Sequence, residues 1–176
     1  MPSCSSQLET IGVVRSGYRS HADTPVQSSL NTSVEGVIQL DGRFADALLG
    51  LDEFDYAWIL SWLGTEETPA PKDVALRQVP FLLQGAPRPL GILATRGPRR
   101  INPIGLSLVR ILEVGPATIR FGGVDLVDGT PVVDIKPYVV RFDRPPETGA
   151  DIRCGWFDTV ALPEAATPAS LDPNRE

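Results

Sequence analysis

Histidine is almost missing from this chain: one residue, His21, in 176. A histidine-based metal centre or a Ser-His-Asp triad has nothing to build with, so no metal site is expected. His21 itself falls in the polar loop "SHADTPVQSS" and reads as a surface residue. Cysteine is nearly as scarce. Cys4 and Cys154 stand far apart and read as free thiols in a reducing cytoplasm, not as a disulfide. No apolar run is long enough to span a membrane, and the opening "MPSCSSQLET" has no apolar stretch of a signal peptide. Phosphate-cradling loops are missing as well. Neither GxGxxG nor a Walker sequence occurs, which excludes the usual nucleotide-binding βαβ unit.

Acidic residues are plentiful overall, for a net charge of −6, but they vanish between Val74 and Leu112. That segment holds six arginines (77, 88, 96, 99, 100 and 110) and carries +6 while the rest carries −12. The cluster is either a local anion site on an acidic protein or a set of partners for acids elsewhere in the fold.

What is present is β structure. "IGVVRS" (11–16), "VEGVIQL" (34–40), "YAWILSWL" (56–63), "LGILATR" (90–96), "SLVRILEV" (107–114), "ATIRFGGVDLV" (117–127) and "PVVDIKPYVV" (131–140) are short, and several alternate with period two. One helix is expected over "GRFADALLG", capped by Asp41, with Phe44, Leu48 and Leu49 on one stripe and Gly50 ending it. The expectation is a mainly β protein, a small barrel of about seven short strands with one helix. Residues 1–8 read as an N-terminal tail, 9–157 as the barrel domain and 158–176 as a C-terminal tail.

Two stretches are dense in chemistry. In "VDLVDGTPVVDIKPY" (124–138), Asp128-Gly129-Thr130-Pro131 reads as a turn between strands, with backbone amides aimed at a ligand having polar edges. A hairpin corner without a ligand is the plainer alternative. Beyond it, Asp134, Lys136 and Tyr138 share one face of a strand, with Val133 and Ile135 on the other. In "LATRGPRRINPIGLSL" (93–108), Arg96 ends a strand and prolines stiffen a loop presenting Arg99 and Arg100 beside Asn102, in the manner of an anion clamp.

Together, "GILATRGPRRINPIGLSLVRILEV" and "GVDLVDGTPVVDIKPY" resemble the paired signature of the TrmO/TsaA-like family of S-adenosylmethionine-dependent methyltransferases. "IGVVRSGY", "PVQ" at 25–27, "FADALLGLDEFDYAWIL" and "IRCGW" extend the resemblance over residues 9 to 157. It implies a non-Rossmann β-barrel methyltransferase, a homodimer, that methylates N6 of threonylcarbamoyladenosine next to the tRNA anticodon. A small-molecule acceptor on the same fold is the alternative, and a cofactor-binding module without catalysis is a third. Carried over by position, the resemblance places S-adenosyl-L-methionine among Pro25, Val26, Gln27, Gly64, Thr65, Arg96, Leu106, Asp128, Gly129, Thr130 and Pro131. Arg99, Arg100 and Asn102 then face the acceptor. The accepting nitrogen loses a proton, and Asp134, Lys136 and Tyr138 are the candidate bases. The chain departs from the family's usual reading at four points. Ile101 replaces a proline, Val26 an arginine, and Tyr56 and Gly64 stand where histidines are usual.

Overall fold

The computed structural model describes residues 7–64, 74–83, 87–146, 152–162 and 166–170, so Cys4 and Thr65 lie outside the described residues. Six strands close into an antiparallel barrel: β1 (Gly12–Arg15), β2 (Glu35–Leu40), β3 (Tyr56–Trp62), β6 (Ile104–Val114), β7 (Thr118–Gly122) and β8 (Pro131–Pro137). Around the barrel they run β1-β2-β7-β6-β3-β8, and β1 closes the ring on β8 through Gly12↔Val132 and Val13↔Pro131. Closure leaves no unpaired edge on which another chain could template.

Alternation fills the interior. Along β3, Ala57, Ile59 and Ser61 are buried while their neighbours are half-buried or exposed, and along β6 the buried set is Gly105, Ser107 and Val109. Phe121, Ile38, Ile59, Ile119, Val14, Val109, Val124 and Val132 are all below 2% or at 2% exposure and form the apolar centre. Each such side chain contributes roughly 1.5–3 kcal/mol relative to exposure.

The expected mainly β barrel is there, with differences that have local causes. "LGILATR" is not a barrel strand. Only Leu90–Gly91 (β5) is extended, pairing with Arg77–Gln78 (β4), and Ile92–Ala94 then winds into a 3-10 turn. Arg100 Nη1 donates to the carbonyls of Ile92 and Thr95 at 3.1 and 2.7 Å, which fixes that turn. "GRFADALLG" is helical but winds as a 3-10 helix over Gly42–Leu48, with Asp41 accepting from the Arg43 amide and Gly50 left-handed at φ 82°. In so short a segment an α-helix would leave nearly every terminal N–H and C=O unmet, and the tighter winding satisfies more of them. The new winding turns Leu49 out to 95% exposure while Leu48 stays buried. Along β8 the phase also shifts. A bulge where β3 passes from Leu60 to Ser61 makes Val132, not Val133, the fully buried residue, although Ile135 still packs on the core.

Part of the segment read as a C-terminal tail is docked. Ala166 is 1% exposed, its carbonyl accepts from the Val26 amide at 2.8 Å, and the Ala169 amide donates to Ala22.

Candidate functional site

The Asp-Gly-Thr-Pro turn uses its amides on its own chain. Asp128 N–H donates to Tyr18 O, Gly129 N–H to Val14 O and Thr130 N–H to Val127 O, at 2.9, 2.8 and 3.2 Å. Asp128 accepts from the Ser16 amide at 3.1 Å and from Arg19 at 2.8 Å. Gly129 takes φ 82°, which a side chain would strain, and Pro131 opens β8. The expectation that these three amides point at a ligand is therefore not met. The first two tie the turn to β1 and the segment just after it, the third closes the turn on itself, and the Thr130 carbonyl is taken in turn by the Val14 amide at 2.9 Å.

Sequence reasoning passed over the residue that links the other loops. Asp125 lies between Val124 and Leu126, 0% and 4% exposed. Its Oδ1 accepts from Ser107 Oγ at 2.6 Å, and its Oδ2 accepts from the Ser28 amide at 2.9 Å. Ser107 is on β6 beside Leu106, and Ser28 follows Pro25-Val26-Gln27 directly. Burial pushes the Asp125 carboxyl above its ordinary value. The bonds from Ser107 and Ser28 and the positive charge of Arg96 pull the other way. One signal was available in the sequence: an acid set inside an apolar run must find partners if it is buried.

Around that carboxylate stand several of the residues expected to bind cofactor. Pro25 is buried, and Val26 and Gln27 are half-buried. Arg96 is exposed and follows the 3-10 turn, which Trp156 Nε1 clasps through the Ala94 carbonyl at 2.7 Å. Among the described residues none of the six arginines between Val74 and Leu112 makes an ion pair; the arginine pairs formed use Arg19, Arg43 and Arg120. Arg100 is the exception as a clamp residue, because its guanidinium is held by its own loop. Arg99 and Asn102 are exposed.

The candidate bases form a separate group on the outer wall. Lys136 Nζ lies 2.7 Å from Asp134 Oδ2, and the Tyr138 ring meets Trp58 edge-on at 6.0 Å. No hydrogen bond or ion pair among the described residues joins this group to Asp125 or Arg96. Ladder register links it to Leu106 instead: Asp134, Leu60 and Leu106 form one row across β8, β3 and β6. Gly64 has a packing reason. A Cβ there would come within 2.6 Å of Trp62 Nε1 and 3.2 Å of Pro103, so the indole already fills the space of a side chain.

The sequence profile described as tRNA-methyltransferase O N-terminal domain matches residues 13–144. The "tRNA (adenine(37)-N6)-methyltransferase" of Escherichia coli K12 is 38% identical over 161 residues, covering 83% of this chain and 63% of that protein. An "S-adenosyl-L-methionine-binding protein" of Archaeoglobus fulgidus is 35% identical over 136 residues, 77% of this chain and 91% of that protein. A crystal structure of TrmO from Pseudomonas aeruginosa superposes with TM-score 0.63 at 30% identity, covering 85% of this chain and 63% of that one. The chain thus spans less than two thirds of the Escherichia coli and Pseudomonas aeruginosa proteins. The matched span takes in all six barrel strands but for Gly12, with the Arg96 loop and Asp125 between them, and on that ground the chain belongs to the tRNA-methyltransferase O N-terminal domain family.

Proposed function

We propose that this chain is an S-adenosyl-L-methionine-dependent methyltransferase that methylates N6 of an adenosine next to the tRNA anticodon, bearing a threonylcarbamoyl group. The observation that carries the reading is the relative of that activity at 38% identity over 161 residues, which include the Arg96 and Asp128 motifs. The donors present fit the cofactor. Its carboxylate needs a guanidinium, and Arg96 is exposed and without an ion pair among the described residues. When bound, S-adenosyl-L-methionine supplies an activated methyl group for in-line displacement.

The chain's own task is to orient and to manage one proton. Pro25 to Gln27, Leu106 and the Asp128–Pro131 turn shape the cofactor site. Gly64 and Thr65 complete it on the reading from family resemblance. Asp134 is the proton acceptor, held by Lys136 at 2.7 Å, and Tyr138 lies next to them on Trp58. Arg99 and Asn102 meet tRNA, and the reaction places the protein in the cytoplasm. The working unit is a homodimer. Ile104 at 40% and Leu106 at 45% exposure leave apolar surface on the outer wall for a second copy to cover.

A small-molecule acceptor is the second reading. It is favoured by the Archaeoglobus fulgidus relative, matched over 91% of its length and named only for cofactor binding. The deciding experiment incubates labelled S-adenosyl-L-methionine with bulk tRNA and, separately, with a small-molecule extract. Label in tRNA at the anticodon adenosine is expected; label only in the extract overturns the tRNA reading. Sedimentation of a single 19.0 kDa species at high concentration would remove the dimer.

A further inference from the structure

We infer that Asp125 is a positioning residue of this enzyme: its buried carboxylate ties the Pro25–Gln27 loop to β6, and the tie sets the geometry of the cofactor site. Its two oxygens are used in different directions, one on the Ser28 amide at 2.9 Å and one on Ser107 Oγ at 2.6 Å. The partners are 97 and 18 residues away in sequence, so the carboxylate joins segments that no local interaction connects. It is anchored by its neighbours, because Val124 and Leu126 on either side are buried in the core. The Ser28 amide is the first donor after Gln27, and Ser107 immediately follows Leu106 on β6. A shift of Asp125 therefore moves two walls of the site together, while Arg96 faces it with a compensating charge.

Taking a carboxylate out of water is costly, and a fold that needed only a loop anchor has cheaper ways to satisfy one amide. The chain already has one. The Val26 amide in the same loop is met by the Ala166 carbonyl at 2.8 Å. What Asp125 adds is a fixed distance between the loop and the strand.

The inference rests on the cofactor reading, and its test separates the two. Asp125→Ala and Asp125→Asn are compared by calorimetric titration with S-adenosyl-L-methionine, by steady-state kinetics and by amide exchange at Ser28. Asn can still accept from the Ser28 amide and donate to Ser107 Oγ, so it keeps both contacts. Asp125→Ala is expected to weaken cofactor binding about tenfold or more and to raise KM for cofactor in step, with kcat at saturation within about threefold of wild type. Asp125→Asn should stay within about threefold in both. If Asp125→Ala does not fold, Ser107→Ala cuts one arm alone and should give an intermediate loss of affinity. Unchanged Ser28 exchange and unchanged affinity in Asp125→Ala overturn the inference, as does Asp125→Asn failing as badly as Asp125→Ala. Wild type that binds no cofactor, with Ser28 exchange still rising in Asp125→Ala, faults the cofactor reading and leaves the tie standing.

Discussion

Ser61 is 0% exposed, and its Oγ is the buried side-chain polar atom that finds no hydrogen-bond partner among the described residues. Such an atom costs about 1–3 kcal/mol of folding free energy. Ser61→Ala removes that cost and forfeits roughly 0.5–1 kcal/mol of contact, so a net gain of about 0.5–2 kcal/mol is expected. For a chain of this length the midpoint should rise by about 1–8 °C. Opposite Ser61 in the ladder stands Gly105, whose added Cβ would run into Ser61 Oγ and meet Leu63 at 3.1 and 3.2 Å. Gly105→Ala alone should therefore cost about 1–3 kcal/mol by overpacking. In the Ser61→Ala background the closest obstacle is gone and only the Leu63 contacts remain, so the cost should fall, giving a coupling of about 0.5–2 kcal/mol. Urea unfolding followed by tryptophan fluorescence on all four proteins measures the cycle. Loss of stability in Ser61→Ala, or additivity within about 0.5 kcal/mol, would refute the reasoning.

Four further outcomes follow from the structure. Arg96→Ala should weaken S-adenosyl-L-methionine binding by about 1.5–3 kcal/mol with the melting temperature nearly unchanged; an unaltered Kd by calorimetry would make Arg96 a surface residue only. Arg99→Ala should lower the slope of log K against log[salt] for tRNA binding by up to about one unit, or about 0.7 on a single strand, at unchanged stability. Arg100→Ala should instead lower the melting temperature, because its guanidinium holds the Ile92 and Thr95 carbonyls. The fourth concerns pH. Burial raises the Asp125 carboxyl above its usual 3.8, so the folded chain holds this proton to higher pH than the unfolded chain. Its contribution is fully present below the usual value and is lost as pH rises through the raised one, with a slope of at most about 1.4 kcal/mol per pH unit. Urea titrations across that range should show the slope in wild type and not in Asp125→Asn.

Much of the barrel was legible because its strands carry their signal locally. In "EGVIQL" and "TIRFG" the buried positions include Ile38 and Leu40, and Ile119 and Phe121, with Glu35, Gln39, Thr118 and Arg120 turned away from the core, and a one-residue slip would turn those sets outward, so pattern and structure agree there. "LGILATR" failed on the same criterion. Its apolar run resembles a strand, yet the Ile92 and Thr95 carbonyls are taken by Arg100, eight and five residues on, a side-chain contact that apolar periodicity does not register. The phase of β8 was lost for a similar reason, since the bulge appears only as a register shift opposite Leu60 and Ser61.

The site was legible as motifs and not as geometry. Motif positions named the Asp128 turn, but only the tertiary contacts reveal that its Asp128 and Gly129 amides are spent on Tyr18 and Val14. Strand alternation then divides the work between two surfaces. Leu106 faces outward at 45% exposure and Ser107, the next residue, faces inward at 3%. The tie through Asp125 therefore runs inside the barrel end, while the Asp134–Lys136 pair stands on the outer wall in the row of Leu60 and Leu106. Exposed to water, an ion pair of that kind contributes at most about 1 kcal/mol. Proton removal becomes effective when the site is closed from water and the accepting nitrogen is held against its base. If Asp134 is the base, whatever covers the outer wall, a second copy or the acceptor itself, has to complete the chemistry that the inner tie can only position.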